Sequence, residues 1–127
     1  MAKTASEGAT FFAFVESKEL SLPQFFIRPE EFFDRVSKFL RLTSEIEFEE
    51  HPEFCKTYWV EGDEESLVKR MVSEDFAHFF TVEKKWRLEG MNYFMIFYQK
   101  GKKLKPEEIE NFYKKGLQLF EWMKEDK

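Results

Sequence analysis

At 127 residues, with 43% hydrophobic and 35% charged side chains, the chain has the size and balance of one globular domain that folds without disulfides or metal. A net charge of −5 and a pI near 5.2 leave no basic footprint for neutralising phosphates, so no nucleic-acid partner is expected. The single cysteine, Cys55, excludes an internal disulfide and a multi-cysteine zinc site, and suits a reducing, cytoplasmic compartment.

Residues 1–9 (MAKTASEGA) have nothing to bury and read as a flexible tail without the apolar stretch of a signal peptide, leaving residues 10–127 as one domain. Phe11 to Val15 reads as a strand bounded by polar residues. Leu20 to Pro23 is a connection, and Phe25-Phe26-Ile27 a second strand that Pro29 ends, because proline lacks the ladder donor. Pro29 also opens a predicted helix over residues 29–42. Glu30 and Glu31 lie at its positive end, and Phe32, Phe33, Val36, Phe39 and Leu40 share one face.

Glu45 to Glu49 alternates charged and apolar residues, as in a short edge strand or an extended segment with its carboxylates in water. After the His51-Pro52 break, Phe54 to Val60 is dense in strand-favouring residues and ends at Gly62-Asp63. Asp63 is the expected N-cap of a short helix burying Leu67, Val68, Met71 and Val72, and Ser73 starts another that carries Phe76, Phe79 and Phe80 inward. Trp86 to Leu88 and Tyr93 to Tyr98 read as a hairpin joined through Gly90, its second strand apolar on both faces and so expected to be central and covered on both sides. Beyond a basic loop at Gly101 to Lys105, Pro106-Glu107-Glu108 opens a long helix. Ile109, Phe112, Tyr113, Leu117, Phe120 and Met123 form its expected buried stripe, and Gly116 permits a close approach to the sheet.

These elements predict an α+β fold, with an antiparallel or mixed sheet of about five strands and two main helices, 29–42 and 106–124, packed on it. The expected core includes Phe32, Val36, Phe39, Tyr93 or Phe94, Ile96, Phe112, Leu117 and Phe120. The 17 phenylalanines supply that core from few positions and leave a surplus for a pocket or an exposed aromatic patch. No apolar run approaches the roughly 20 residues that cross a bilayer, so the chain as given reads as soluble.

Catalytic motifs are missing from the sequence. Its five scattered glycines form no phosphate-cradling loop, and no Gly-x-Ser-x-Gly elbow occurs. His51 and Cys55, four apart, have the spacing to begin a metal site or a base–nucleophile pair, with His78, Glu47, Glu49, Glu50 or Glu53 needed as a third group. A His-Pro turn beside a small buried thiol is the stronger reading of the same residues. The acidic run Glu45 to Glu53 lacks the turn glycine of a calcium loop and reads as a solvated edge. Lys84, Lys85, Arg87, Lys100, Lys102, Lys103 and Lys105 gather near the hairpin, either as a patch for an acidic partner or lipid headgroups or as a lysine-guarded loop. No catalytic residue, cofactor or metal ligand set is assigned. His51, Cys55, Arg28 and Trp59 stand as the candidate site.

The string Leu22-Pro23-Gln24-Phe25-x-Ile27-Arg28-Pro29-Glu30, followed by His51-Pro52-Glu53-Phe54, resembles a bacterial domain of uncharacterised function with a Leu-Pro-x-Phe-x-Leu-Arg-Pro-Glu opening and a His-Pro-Glu-Phe segment. Such domains often follow transmembrane helices, so the resemblance, covering about residues 20–115, implies an association with a membrane protein and transfers no catalytic residue. The functional expectation is a non-enzymatic protein-interaction module, monomeric or homodimeric, touching membrane only indirectly. The alternatives are a small-molecule domain with a Phe-lined pocket between sheet and helices, and a metal- or thiol-dependent enzyme using His51 and Cys55.

Overall fold

The computed structural model describes residues 2–7, 10–31, 45–99 and 104–124. Its strands are β1 (Ala2–Glu7), β2 (Thr10–Glu16), β3 (Leu22–Pro29), β4 (Tyr58–Gly62), β5 (Arg87–Asn92) and β6 (Phe94–Tyr98). All neighbours are antiparallel, and the sheet order is β1-β2-β6-β5-β3-β4. The helices among the described residues are α1 (Pro52–Thr57), α2 (Glu65–Met71), α3 (Glu74–Val82) and α4 (Pro106–Met123). The α+β class holds, with six strands among the described residues where about five were expected. The extra strand is β1: residues 2–7, expected as a tail, gain ladder bonds along β2 although their sequence offers little to bury.

Strand alternation divides the sheet into two faces. The first carries Ala13, Val15, Phe25, Ile27, Tyr58, Val60, Leu88, Met95 and Phe97, all buried, and each described helix packs against it. Trp86, Phe97 and Phe112 stack at its centre, with Trp86 4.2 Å from Phe97 and 5.5 Å from Phe112 between ring centroids. A second ring cluster joins α1, β4 and α3 through Phe54, Tyr58, Phe76 and Phe80. The Tyr58 hydroxyl donates to the Glu83 carbonyl at 2.6 Å and accepts from the Trp86 N–H at 3.4 Å, pinning the end of α3 to the start of β5.

Helix α4 begins as its sequence predicts. Pro106 occupies the first turn, and the Glu108 side chain accepts from the Lys105 N–H at 3.0 Å, satisfying a donor the helix leaves open. Its fully buried stripe is Phe112, Gly116, Leu119 and Met123 at spacings of four, three and four, while Ile109, Tyr113, Leu117 and Phe120 are half-buried. Gly116 permits the close approach, since a Cβ there would lie 3.1 Å from that of Ala13.

Several expectations are corrected. Phe54 to Val60 divides into α1 and the start of β4, because Pro52 at the first turn and the burial of Phe54 against Phe80 favour helix over local strand propensity. Gly90 lies inside β5, and the hairpin turns at Asn92-Tyr93, where Asn92 takes a φ of 53°. Gly90 is needed for space: a Cβ there would overlap the Phe25 ring, whose Cζ would lie 2.9 Å away. Pro29 remains in β3, paired with Tyr58 beyond the last β3–β5 pair, so its missing donor breaks no inner ladder. The N-cap of α2 is Glu64 rather than Asp63, whereas Ser73 caps α3 by accepting from the Phe76 N–H.

Strand β6 is central, but Met95 and Phe97 supply its core face. Phe94 and Ile96 are half-buried on the other, and Tyr93 is 57% exposed. Residues 45–48 are an extended segment tied to β4 by the Ile46 N–H on the Val60 carbonyl, with Ile46 and Phe48 buried and Glu47 exposed between them. The expected helix 29–42, with Phe32, Val36 and Phe39, lies beyond residue 31 outside the described residues. Among the described residues no helix is long and apolar enough to cross a membrane.

Candidate functional site

His51 and Cys55 sit at the two ends of the first turn of α1. The His51 N–H donates to the Phe48 carbonyl at 3.0 Å, closing the turn before Pro52, and its ring lies 6.5 Å from that of Phe48. The half-buried Cys55 thiol accepts from the Phe48 N–H at 3.0 Å and lies 3.5 Å from the Phe48 carbonyl as a weak donor. These contacts hold the extended segment against α1. Among the described residues no three His, Cys, Asp or Glu side chains converge to hold a metal ion. The shallow depression beside His51 mixes Glu47, Glu49 and Glu50 with Lys69 and Arg70, and Lys69 already pairs with Glu65 at 3.2 Å. His78 is exposed on α3.

Arg28 and Trp59 lie elsewhere. They are direct cross-strand partners on β3 and β4, with the Arg28 guanidinium 5.1 Å from the Trp59 ring centroid. Tyr58 and Trp59 are consecutive on a strand, so Trp59 faces away from the α1 side of the sheet. The four candidate residues therefore divide between two faces. Trp59 is 8% exposed, and its indole N–H has no hydrogen-bond partner among the described residues.

The second face of the sheet carries the feature that the sequence reading missed. A groove of about 520 Å³ is lined by Phe26, Phe94, Ile96 and Met91, with Glu61, Asp63 and Glu89 and the backbone around Gly62 and Gly90. Strand register makes it. Phe26 pairs with Glu61 on one side and Glu89 on the other, Glu89 pairs with Ile96, and Ile96 pairs with Phe14. One continuous cross-strand row thus reads Glu61, Phe26, Glu89, Ile96, Phe14, placing an aromatic ring between two carboxylates.

Comparison with protein-family models, with curated proteins and with solved structures returns no match.

The groove's electrostatics follow from its partners. Glu61 and Asp63 are exposed and make no ion pair or side-chain hydrogen bond among the described residues. The Tyr98 hydroxyl donates to Glu89 at 2.6 Å, which fixes that carboxylate over the sheet. Burial first, then the bond to Glu89 and its charge, push the Tyr98 phenol up to about 12, with Arg87 pulling the other way. The Arg87 guanidinium is 3.8 Å from Glu31 and does not line the groove. Among the described residues no lysine or arginine stands in that lining. Its lip continues into exposed apolar surface, with Met91 42% and Tyr93 57% accessible. Phe94, half-buried beside them, stacks on Phe14 at 5.9 Å. The groove is thus open, with apolar side chains and carboxylates side by side among its described lining.

Sequence pattern gave little signal for this site. Phe26, Glu61, Glu89 and Ile96 come from four strands, and only the register brings them into one row.

Proposed function

We propose that the chain is a non-enzymatic interaction module that holds a protein partner on the second face of its sheet. The observation that carries this reading is the groove of Phe26, Phe94 and Ile96 opening onto the exposed side chains of Met91 and Tyr93. The described helices occupy the other face, where Trp86, Phe97 and Phe112 fill the space against α4. The cleft bounded by Phe11, Trp86, Gln99, Leu104 and Phe112 has no volume open to water. The resemblance of the Leu22–Glu30 and His51–Phe54 strings supports a bacterial setting beside a membrane protein, and the lone thiol supports a cytoplasmic one.

Site-specific photocrosslinking tests the reading in cells. A benzophenone side chain replaces Tyr93 at the lip of the groove, with the exposed Glu110 of α4 as control position. Discrete protein adducts at position 93 and none at 110 are expected. Absent adducts at 93, or the same adducts at both positions, would refute the assignment of this face.

A further inference from the structure

The row Glu61, Phe26, Glu89 has a chemistry more specific than an apolar patch. Neighbouring strands lie roughly 4.8 Å apart, so the two glutamate backbones flank Phe26 at about 10 Å from one another. The exposed Glu61 side chain stands on one side of the ring, and on the other the Glu89 carboxylate is held by the Tyr98 hydroxyl at 2.6 Å. The ring between them has a negative face, and a planar cation laid on it gains from the ring quadrupole and from both carboxylates. Asp63, two residues along from Glu61, adds a third negative charge at the same end. Among the described residues the lining holds three carboxylates and no cation, and Arg28 and Arg87 stand in the adjoining row of the same face, so the negative potential is greatest at the Glu61–Asp63 end.

The same face already seats such a group. One row along the strands, the Arg28 guanidinium lies 5.1 Å from the Trp59 ring centroid, across the same β3–β4 pair. The surface thus accepts a guanidinium on an aromatic ring in that geometry, and the Phe26 row offers a second ring with carboxylates where the Trp59 row has its own arginine.

We propose that the groove takes an arginine side chain from a peptide segment of a protein partner. The guanidinium stacks on Phe26 between Glu61 and Glu89, and flanking apolar residues rest on Ile96, Phe94 and Met91. This rests on the reading of the second face as the interaction surface and names the chemistry that the surface selects. A planar guanidinium suits the site better than an ammonium, because it stacks on the ring while its edge donates to both carboxylates.

The test is nuclear magnetic resonance titration of the isotope-labelled full chain with acetyl-Gly-Leu-Arg-Leu-Gly-amide, its citrulline counterpart and free arginine. Citrulline keeps the shape of arginine and removes the charge. The arginine peptide is expected to give saturable shifts at Glu61, Gly62, Glu89, Gly90 and Ile96, and the citrulline peptide to bind at least about tenfold more weakly. Free arginine, lacking the apolar flanks, is expected to be weaker than the arginine peptide. Glu61→Gln, at an exposed position, weakens the arginine peptide by roughly two- to fivefold and leaves citrulline unaffected. Phe26→Leu keeps the apolar floor and removes the ring, with a comparable loss for the arginine peptide alone.

Equal binding of the two peptides at this row would overturn the charge selection and leave the interaction surface standing. Shifts confined to other regions, or none at millimolar peptide, would overturn the arginine site outright. The crosslinking result at Tyr93 decides the interaction surface independently.

Discussion

Replacing Tyr58 by phenylalanine isolates one polar pin within an otherwise apolar cluster. The ring is fully buried, 5.8 Å from Phe54 and 5.0 Å from Phe80, and those contacts survive the substitution. The hydroxyl is lost, and with it the 2.6 Å bond to the Glu83 carbonyl and the 3.4 Å bond from the Trp86 N–H. An orphaned, partly buried backbone group costs about 1–3 kcal/mol, and the longer second bond adds less, so the expected loss is about 2 kcal/mol. For a chain of 127 residues that corresponds to a Tm lower by about 7 °C.

A second readout comes from alkali. Burial pushes the Tyr58 phenol well above its ordinary value, the Trp86 N–H opposes this, and the Glu83 charge adds to it. The folded pKa is raised, so this contribution to stability is intact below about pH 10, where the unfolded phenol titrates, and is lost as pH rises beyond it. The assay is urea unfolding followed by tryptophan fluorescence, at neutral pH and at about pH 11, for both proteins. The variant is expected to be weaker at neutral pH and to lose less on going to alkali. A neutral-pH loss below about 0.5 kcal/mol, or the same alkaline loss in both proteins, would refute the pin.

Gly90→Ala forces a methyl group into the Phe25 ring and is expected to cost about 1–3 kcal/mol in thermal unfolding, although β5 gains strand propensity. Cys55→Ala removes both thiol contacts to the Phe48 backbone and is expected to cost about 1 kcal/mol, with a smaller loss for Cys55→Ser, measured by urea midpoint. Tyr98→Phe frees Glu89 from its hydrogen bond, and spectrophotometric titration is expected to lose one phenol ionising near pH 12.

Local rules were reliable where chemistry and structure lie in the same few residues. The first turn of α4 and the Ser73 cap follow from their own sequences, because proline, glutamate and serine act on backbone groups within one turn. Local rules failed where distant partners decide. The segment Phe54 to Val60 has strand propensity throughout, yet its first half is helical because Phe54 has Phe80 to pack against. In Tyr93 to Tyr98 both faces are apolar, so alternation could not say that Met95 and Phe97, rather than Phe94 and Ile96, turn inward. The candidate site was missed for the same reason at larger scale. Arg28 and Trp59 fall on the relevant face, but the row that forms the groove depends on three strand registers.

The strand order carries a consequence for how the chain comes together. β2 and β3 follow one another in sequence, yet the β5–β6 hairpin lies between them, and each reaches the other only through it. Before β5 and β6 have left the ribosome, the earlier described strands form two separate pairs, β1 with β2 and β3 with β4, each with an edge of unpaired backbone N–H and C=O groups awaiting a neighbour. Such an order demands contacts between residues far apart in the chain and slows folding. The C-terminal hairpin is therefore the keystone, and conditions that delay its synthesis leave two sticky half-sheets exposed to pair with other chains.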